Sequence, residues 1–237
     1  VGTGASGLFA ALHIPEDKKV LMITKEEVEK SDSFLAQGGI CVLRDESDYD
    51  SFMEDTLKAG HYENRVESVD IMIRSSQDVI RELIDYGVDF AKEDGELVYT
   101  REGCHSKPRI LFHEDITGEE ITGKLLKEAK KQKHITIMEH MTMLDLVEKK
   151  QQCHGVVAVD KEGEAYFLKA GNTILASGGI GGLYKHSTNY PHLTGDALAI
   201  AMRHHVELEH IDYIQIHPTT LYSQRSGRRF LISESVR

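Results

Sequence analysis

Three glycines at the start of the chain restrict its fold more than any other feature. Gly2, Gly4 and Gly7 form a GxGxxG pattern that opens a short apolar helix predicted at residues 8–13, and a compact apolar strand follows at residues 19–23. In such a unit the first glycine permits a tight turn, the second lets a pyrophosphate approach the backbone, and the third lets helix and strand pack closely. The helix N terminus then faces the phosphates with free N–H groups. The pattern predicts a Rossmann-like α/β nucleotide-binding domain; a glycine turn without a ligand is the alternative.

The rest of the chain alternates predicted helices with predicted short strands. Helices are expected at residues 50–60, 66–86, 118–132 and 194–204, and strands at residues 135–139, 143–148, 155–159, 165–170 and 173–176. A hairpin or loop is expected at residues 88–109. The strands after residue 134 indicate a sheet with an attached β-meander, and residues 206–237 have strand and loop composition without clear periodicity.

Composition excludes several classes of function. The formal net charge is -11, from 28 basic and 39 acidic residues, and no basic block stands apart, so nucleic acid is not an expected partner. No apolar run approaches the roughly 20 residues needed to cross a bilayer, and no signal peptide is recognisable, so we expect no membrane association and a cytoplasmic location. The cysteines are odd in number and widely spaced, which predicts reduced thiols at Cys41, Cys104 and Cys153. No zinc-type ligand spacing is present, and we expect no metal.

The two ends of the sequence carry an expectation of their own. The chain begins at Val1 without an initiator Met and with almost no strand before the first glycine, so we expect the first strand to be cut short. It stops at Arg237 without a helix stop signal or a charged tail. We therefore expect a partial polypeptide.

Further glycine-containing segments turn this general pattern into a specific one. They are SFLAQGGI at residues 33–40, ASGG at residues 176–179, TGD at residues 194–196 and QIHPT at residues 215–219. The paired glycines allow backbone to lie against a flat ring, and Gln37 can donate a hydrogen bond to a carbonyl or a ring nitrogen. Taken in order through nearly the whole chain, this set resembles the flavoprotein family of succinate dehydrogenases, fumarate reductases and L-aspartate oxidases.

The resemblance implies a GR2-type FAD-binding domain at residues 1–210, with a mixed sheet and a β-meander, and the incomplete beginning of a capping domain at residues 211–237. Asp32 stands where the dehydrogenases and many reductases have a His bonded covalently to the flavin, so the implied FAD is non-covalent. The strand that ends at Thr24 and Lys25 lacks the usual acidic ribose ligand, which weakens a nicotinamide assignment. The implied cofactor-binding residues are Gly2, Gly4, Ser6, Gly7, Thr24, Lys25, Ser33, Ala36, Gln37, Gly38, Gly39, Ala176, Ser177, Gly178, Gly179, Asn189 and Asp196.

The segments at residues 100–106 and 109–113 look like the aspartate oxidase form of the family. In that form the carboxylate matching Glu102 faces the substrate amino group, and a carboxylate near a dicarboxylate is favourable only if the substrate also carries a cation. The resemblance also places the following residues at the substrate carboxylates: Gln215, His217, Ser233 and Glu234. Each residue also has an alternative role without a ligand. Glu102 is then solvated or caps a helix, His217 is a turn residue, Glu234 is a surface charge, and His105 and Arg109 form a structural ion pair or hydrogen-bond group.

The implied reaction is hydride transfer from the α-carbon of L-aspartate to the flavin, which forms iminoaspartate and releases a proton. Oxygen or fumarate is the implied acceptor, and the product feeds quinolinate formation and NAD synthesis, which implies a functional link to quinolinate synthase. The family's proton-transfer Arg is expected beyond Arg237, so no catalytic residue is assigned and the isolated chain is expected to be nearly inactive. The alternatives are a soluble fumarate reductase or succinate dehydrogenase flavoprotein subunit and a non-catalytic flavin-binding module.

Overall fold

The predicted βαβ unit is present at the N terminus. The computed structural model describes residues 1–217, 219–224 and 227–232. Helix α1 is Ala5–Leu12 and strand β1 is Val20–Ile23, which pairs in parallel with β6, Ile135–Met138. Met22 and Ile23 are buried, as expected for a short apolar run that lies between covering layers.

The segment predicted as a strand at residues 173–176 is not a regular strand. Its backbone forms two hydrogen bonds with Val1: the Val1 N terminus donates to Ile174 O at 2.7 Å, and Ala176 N donates to Val1 O at 2.8 Å. The next residue, Gly2, bonds to the end of β1, since Gly2 N donates to Ile23 O at 2.9 Å. The prediction of a strand was wrong because a strand requires a ladder of successive residue pairs, and both bonds to residues 174 and 176 come from the same residue, Val1.

The chain divides into two compact units. The first unit is Val1–Leu35 with Leu125–Arg237, and the second is Ala36–Lys124. The first unit contains α1, β1, β6, the short helix α2 (Asp32–Leu35), and the predicted meander, which is β7 (Thr142–Lys149), β8 (Gln152–Val159) and β9 (Ala165–Lys169) in antiparallel order. Helix α6, Asp196–Arg203, packs on β7 because Ala197, Ile200 and Ala201 recur on one face. The predicted mixed α/β class with a meander is confirmed.

The second unit places two helices against short strands. Strands β2 (Ile40–Cys41) and β5 (Ile110–Leu111) pair antiparallel, and β3 (Lys92–Glu93) with β4 (Glu96–Leu97) forms the expected hairpin. Helices α3 (Tyr49–Ala59) and α4 (Val66–Asp85) share a core of Leu43, Phe52, Val69 and Ile73. The helical spacing of apolar residues predicted α4, and its buried positions follow that spacing. Helix α5 is Thr117–Ala129.

The last part of the chain is less regular. Between residues 206 and 232, the described residues contain one isolated bridge, Thr220 with Leu231, and no helix or strand. The boundary between a flavin-binding domain and a capping domain at residues 210/211 stays a prediction. None of the helices in the described ranges combines the length and hydrophobicity that a membrane span requires.

Candidate functional site

The turn at the start of α1 depends on two glycines that no other residue can replace. Gly2 has φ +105°, and a Cβ added there would lie 2.2 Å from Ala176 O. A Cβ on Gly7 would lie 2.2 Å from Gly2 O. Both approaches are far inside van der Waals contact with backbone atoms that cannot rotate away. The tight turn and the close packing expected from the GxGxxG pattern are therefore both observed.

The N terminus of α1 is left open for an anion. Its cap residue, Gly4, has no side chain to satisfy the helix N–H groups, and the first turn carries no acidic residue. One donor, Ala5 N, binds Ser33 Oγ at 3.0 Å. The first turn therefore places no carboxylate of its own at the positive end of the helix.

A cavity of about 540 Å³ lies at this turn in the first unit. Its lining includes most of the cofactor-binding residues predicted for that unit: Gly2, Gly4, Ser6, Thr24, Lys25, Ser33, Ala176, Ser177, Gly178 and Asp196. Gly7 is not in the lining, since it packs beneath the turn, and Gly179 and Asn189 also lie outside it. The cavity thus gathers segments that are widely separated in the sequence.

Lys25 and Asp196 form an ion pair in the wall of this cavity. Lys25 Nζ donates to Asp196 Oδ2 at 2.7 Å, to Thr194 Oγ1 at 2.9 Å and to His192 O at 3.0 Å. Partial burial opposes ionisation of Asp196, but the bonds from Lys25 and Thr194 outweigh it and lower the pKa of the carboxyl. Lys25, two residues after the end of β1, therefore links that strand to the start of α6.

Asp32 is held by residues of the first unit. Its carboxylate accepts hydrogen bonds from Tyr190 N at 3.0 Å and from the side-chain amide of Asn189. Burial raises the pKa of Asp32, against the opposing effect of the Tyr190 bond. No sequence pattern indicated this link between Asp32 and the predicted cofactor residue Asn189.

The remaining predicted cofactor residues, at positions 36–39, belong to the second unit. Gly39 packs tightly there, because an added Cβ would lie 2.3 Å from Leu111 O and 2.4 Å from Ile110 Cγ2. Gln37 is half-buried, and its Oε1 is fully enclosed without a hydrogen-bond partner among the described residues. A buried side-chain amide oxygen of this kind lacks a donor that a bound ring system can supply.

Glu102 lies against this glycine pair. Its Oε1 accepts a hydrogen bond from Gly39 N at 3.0 Å, and its Oε2 lies 3.4 Å from the place of a Cβ on Gly38. The structure thus brings a predicted substrate-binding residue next to two predicted cofactor-binding residues, within one unit. The carboxylate is half-buried and remains partly open to solvent.

Arg109 has the structural role that the sequence left open. Its side chain has no exposed surface, and it donates to both oxygens of Asp48 at 3.0 and 2.8 Å and to Asp55 at 2.5 Å. Burial opposes ionisation of Asp48, yet the hydrogen bonds from Arg109 and Ser51 lower its pKa to about 2. Arg109 is an internal ion-pair partner rather than a group presented to a ligand.

Of the other predicted substrate residues, Gln215 and His217 are not in the lining of the cavity. Gln215 is exposed, and His217 is half-buried with Nδ1 3.3 Å from Thr219 N and 3.2 Å from Thr219 Oγ1. Ser233 and Glu234 lie outside the described residues. For His217, a local turn contact is what the structure shows.

His204, which follows α6, contacts two carboxylates. His204 bonds Asp145 through Nε2 at 2.8 Å and Glu148 through Nδ1 at 3.1 Å, and these bonds raise its pKa. Across the described ranges, no three His, Cys, Asp or Glu side chains come together in a metal-binding arrangement.

A family model described as an FAD binding domain matches residues 1–237 of the chain. The chain belongs to this FAD-binding domain family. The resemblance stated from the sequence is therefore confirmed at the level of the family, and FAD is the cofactor that this family binds.

Two curated relatives match over 100% of the chain at 45% identity. Both are named L-aspartate oxidase, one from Clostridium perfringens and one from Clostridium acetobutylicum. The chain covers 54% and 55% of their lengths, so it spans about half of each relative. Among solved structures, the open conformation of a flavocytochrome c3 fumarate reductase superposes with a TM-score of 0.86 at 26% identity, covering 99% of this chain and 44% of that one.

The residues of the first unit fit the FAD of the FAD-binding domain family. The fit rests on the open helix N terminus and on Ser31, whose hydroxyl lines the cavity, is buried, and has no hydrogen-bond partner among the described residues. Its oxygen lies 3.8 Å from the place of a Cβ on Gly4. A phosphate oxygen near the glycine turn would accept a hydrogen bond from this hydroxyl. No sequence pattern singled out Ser31, although it lies in the same polar stretch as Ser33.

Proposed function

We propose that this chain forms the flavin-binding part of an enzyme that oxidises L-aspartate to iminoaspartate. The observation that carries the proposal is the 45% identity, over the whole chain, with two proteins named L-aspartate oxidase. Residues that the relatives have beyond the matched half contribute to the whole enzyme, so the activity, the substrate and the electron acceptor are all part of the proposal.

Non-covalent binding of FAD is the first element of the proposal. The pyrophosphate would lie at the N terminus of α1, with Gly4 at close approach and the hydroxyl groups of Ser31 and Ser33 nearby. Asp32 supplies no nucleophilic nitrogen for a bond to the flavin, and Asn189 and Tyr190 already engage its carboxylate. When bound, FAD supplies an acceptor for the hydride from the substrate α-carbon.

Recognition of the substrate amino group by Glu102 is the second element. Its carboxylate is fixed at one oxygen by Gly39 N and keeps the other oxygen for a cationic partner. An ammonium group is attracted to this carboxylate, whereas a dicarboxylate without an amino group is repelled. Contacts of the substrate carboxylates remain proposed for Gln215, His217, Ser233 and Glu234, in a capping domain that would begin at residue 211.

The physiological setting is proposed from the same resemblance. Oxygen or fumarate would reoxidise the flavin, and iminoaspartate would pass to quinolinate synthase for NAD synthesis. A cytoplasmic location agrees with three free cysteines that form no disulfide.

A fumarate reductase or succinate dehydrogenase flavoprotein subunit is the second candidate. It is favoured by the superposition on a fumarate reductase over 99% of the chain. Both candidates require flavin and a dicarboxylate, and they differ in whether an amino group is recognised. A flavin-binding module without catalysis is the third candidate, and the cofactor content alone does not separate it from the other two.

The first experiment identifies the cofactor and tests whether it is bound covalently. The purified chain is denatured, and the released flavin is identified by its absorbance spectrum and chromatographic mobility. FAD in the supernatant rather than on the polypeptide is expected for non-covalent binding. Absence of FAD, even after reconstitution with added FAD, would remove the basis of the proposal.

The second experiment compares L-aspartate with succinate, using wild type and the Glu102→Gln variant. Binding is followed by the perturbation of the flavin spectrum, and turnover by aspartate-dependent peroxide formation. We expect Glu102→Gln to weaken aspartate binding about tenfold, since a charged hydrogen bond becomes a neutral one, and to leave succinate binding equal or stronger. The same response to both ligands would favour the fumarate reductase candidate. Slow or absent turnover of the isolated residues 1–237 remains a prediction of this assay.

A further inference from the structure

The loop that carries Glu102 has no regular structure of its own. This Glu102 loop, residues 101–108, is closed at its base by a bridge in which Thr100 N donates to Ile110 O at 2.9 Å and Ile110 N donates to Thr100 O at 3.1 Å. Within it, Cys104 adopts the left-handed conformation at φ +69° and is exposed. A loop of this kind needs side-chain contacts to offset the conformational entropy lost on fixing one conformation.

A buried ionic network supplies those contacts. Asp55 Oδ2, on α3, accepts hydrogen bonds from Ser106 N and Ser106 Oγ, both at 2.7 Å, as well as from Arg109 Nη1. The other face of the guanidinium is held by the two oxygens of Asp48. One carboxylate therefore joins the buried arginine to the backbone of the loop.

The arginine also fixes the loop at a second point, His105. Arg109 Nη1 lies 3.1 Å from His105 Nδ1, and because a guanidinium only donates, Nδ1 accepts and the ring proton is on Nε2. Burial and the positive charge of Arg109 lower the pKa of His105, which keeps the ring neutral. His105 N in turn donates to Glu102 O at 3.3 Å, so the turn that carries Glu102 is tied to the network.

The partner of Glu102 is held by the same arginine through its backbone. Val42 N donates to Arg109 O at 2.9 Å, which extends the pairing of β2 with β5 and fixes the strand that follows Gly39. The backbone of Gly39 packs so closely against Leu111 that a side chain at this position would have no room. Arg109 therefore fixes both the Glu102 loop, through its side chain, and the Gly39 amide, through its main chain.

We propose that Asp55, acting through Ser106 and Arg109, is a positioning residue that sets the Glu102 carboxylate on the Gly39 amide. A buried ion pair adds little stability compared with apolar residues of equal volume. A fixed geometry of the Glu102 loop therefore explains the network of Arg109, Asp48 and Asp55 better than added stability does. The importance of that geometry for substrate recognition rests on the proposed function. The geometry itself does not, and it is measured without substrate.

The test uses nuclear magnetic resonance of the whole chain, with the Gly39 amide as the reporter. The Glu102→Gln variant first defines the proton shift of this amide when its acceptor is neutral. In Asp55→Ala, we expect the Gly39 resonance to move toward that position and its hydrogen exchange to become about tenfold faster, because the loop opens locally. Asp55→Asn keeps a side-chain oxygen that accepts from Ser106. Its Gly39 resonance should therefore lie closer to the wild-type position than that of Asp55→Ala.

Controls separate positioning from general destabilisation. Asp50→Asn removes an exposed carboxylate from the same helix and should leave the Gly39 resonance unchanged. If Asp55→Ala does not fold, Ser106→Ala removes one donor to Asp55 without touching the ion pair, and a smaller shift in the same direction is expected. An unchanged Gly39 amide in whichever of these two variants folds overturns the proposal.

L-aspartate, added with FAD, distinguishes this proposal from the proposed function. Binding of aspartate should perturb the wild-type Gly39 resonance, and Asp55→Ala should weaken that binding about tenfold while the Asp50→Asn control binds normally. If aspartate perturbs nothing in wild type but Asp55→Ala still shifts Gly39, the assignment of the substrate fails and the positioning role stands.

Discussion

Protonation of Asp48 should remove a measurable part of the stability of the second unit. Its carboxyl is almost fully buried and its pKa is lowered from 3.8 to about 2 by the bonds that it accepts. At about 1.4 kcal/mol for each tenfold change in proton affinity, this difference corresponds to about 2.5 kcal/mol of folding free energy. Because the folded-state pKa is the lower one, this stabilisation is complete above 3.8 and is lost as the pH falls through about 2.

The perturbation is Asp48→Asn, measured by urea unfolding with circular dichroism at several pH values. At neutral pH the variant should lose about 3 kcal/mol or more, since Arg109 keeps its buried charge with one ionic partner fewer. By pH about 2 the gap between wild type and variant should narrow by about 2 kcal/mol, and at still lower pH by about 2.5 kcal/mol in all, because wild type loses the same interaction. Asp50→Asn, on the exposed face of α3, is the matched control. A gap of constant size across this range would refute the argument.

Three further outcomes follow from the structure of the first unit. Gly7→Ala should lower the melting temperature despite the better helix propensity of Ala, because its Cβ would lie 2.2 Å from a carbonyl oxygen, whereas Gly171→Ala, with open space around it, should not. Lys25→Met should weaken FAD binding, measured by flavin fluorescence, and cost about 1 kcal/mol of stability, since Asp196 loses its cationic partner. The pKa of His204 is raised in the folded state. Its contribution to the stability of the protein is therefore present below pH 6.5 and is lost as the pH rises through the raised pKa. In thermal melts at several pH values, wild type should show this loss and His204→Asn should not.

Local patterns predicted most of the regular structure. The spacing of Val69, Ile73 and Ile80 predicted α4, and the glycine pattern predicted both the tight turn and the close packing of α1. The spacing of α4 and the positive φ of Gly2 depend on residues close together in the chain, where periodicity and backbone conformation decide the outcome. The predicted strand at residues 173–176 failed because its partner is a single residue, Val1, which no local pattern specifies.

The parts of the site that depend on distant partners were less predictable. Arg109 was compatible with a ligand contact or an internal ion pair, and only the burial of Asp48 and Asp55, more than fifty positions away, decided between them. Ser31 gave no sequence signal that set it apart from its polar neighbours; its enclosure beside the glycine turn did. The resemblance singled out Glu102, and the contact with Gly39 gives that residue a physical setting.

The order of the two units along the chain has a consequence for biosynthesis. Strand β1 has to wait for β6, since Val20 pairs with Ile135 and Ile23 with Met138, while strands β2 to β5 pair with one another within residues 36–124. On a ribosome that adds about 5–20 residues per second, the contiguous stretch is complete and able to collapse only about 1–3 seconds before Met138, the end of β6, has been added. The glycine turn is synthesised before residues 36–138, so it reaches its native environment only after β6 and the segment around Ala176 have been made, and its apolar strand is exposed to chaperones in the interval.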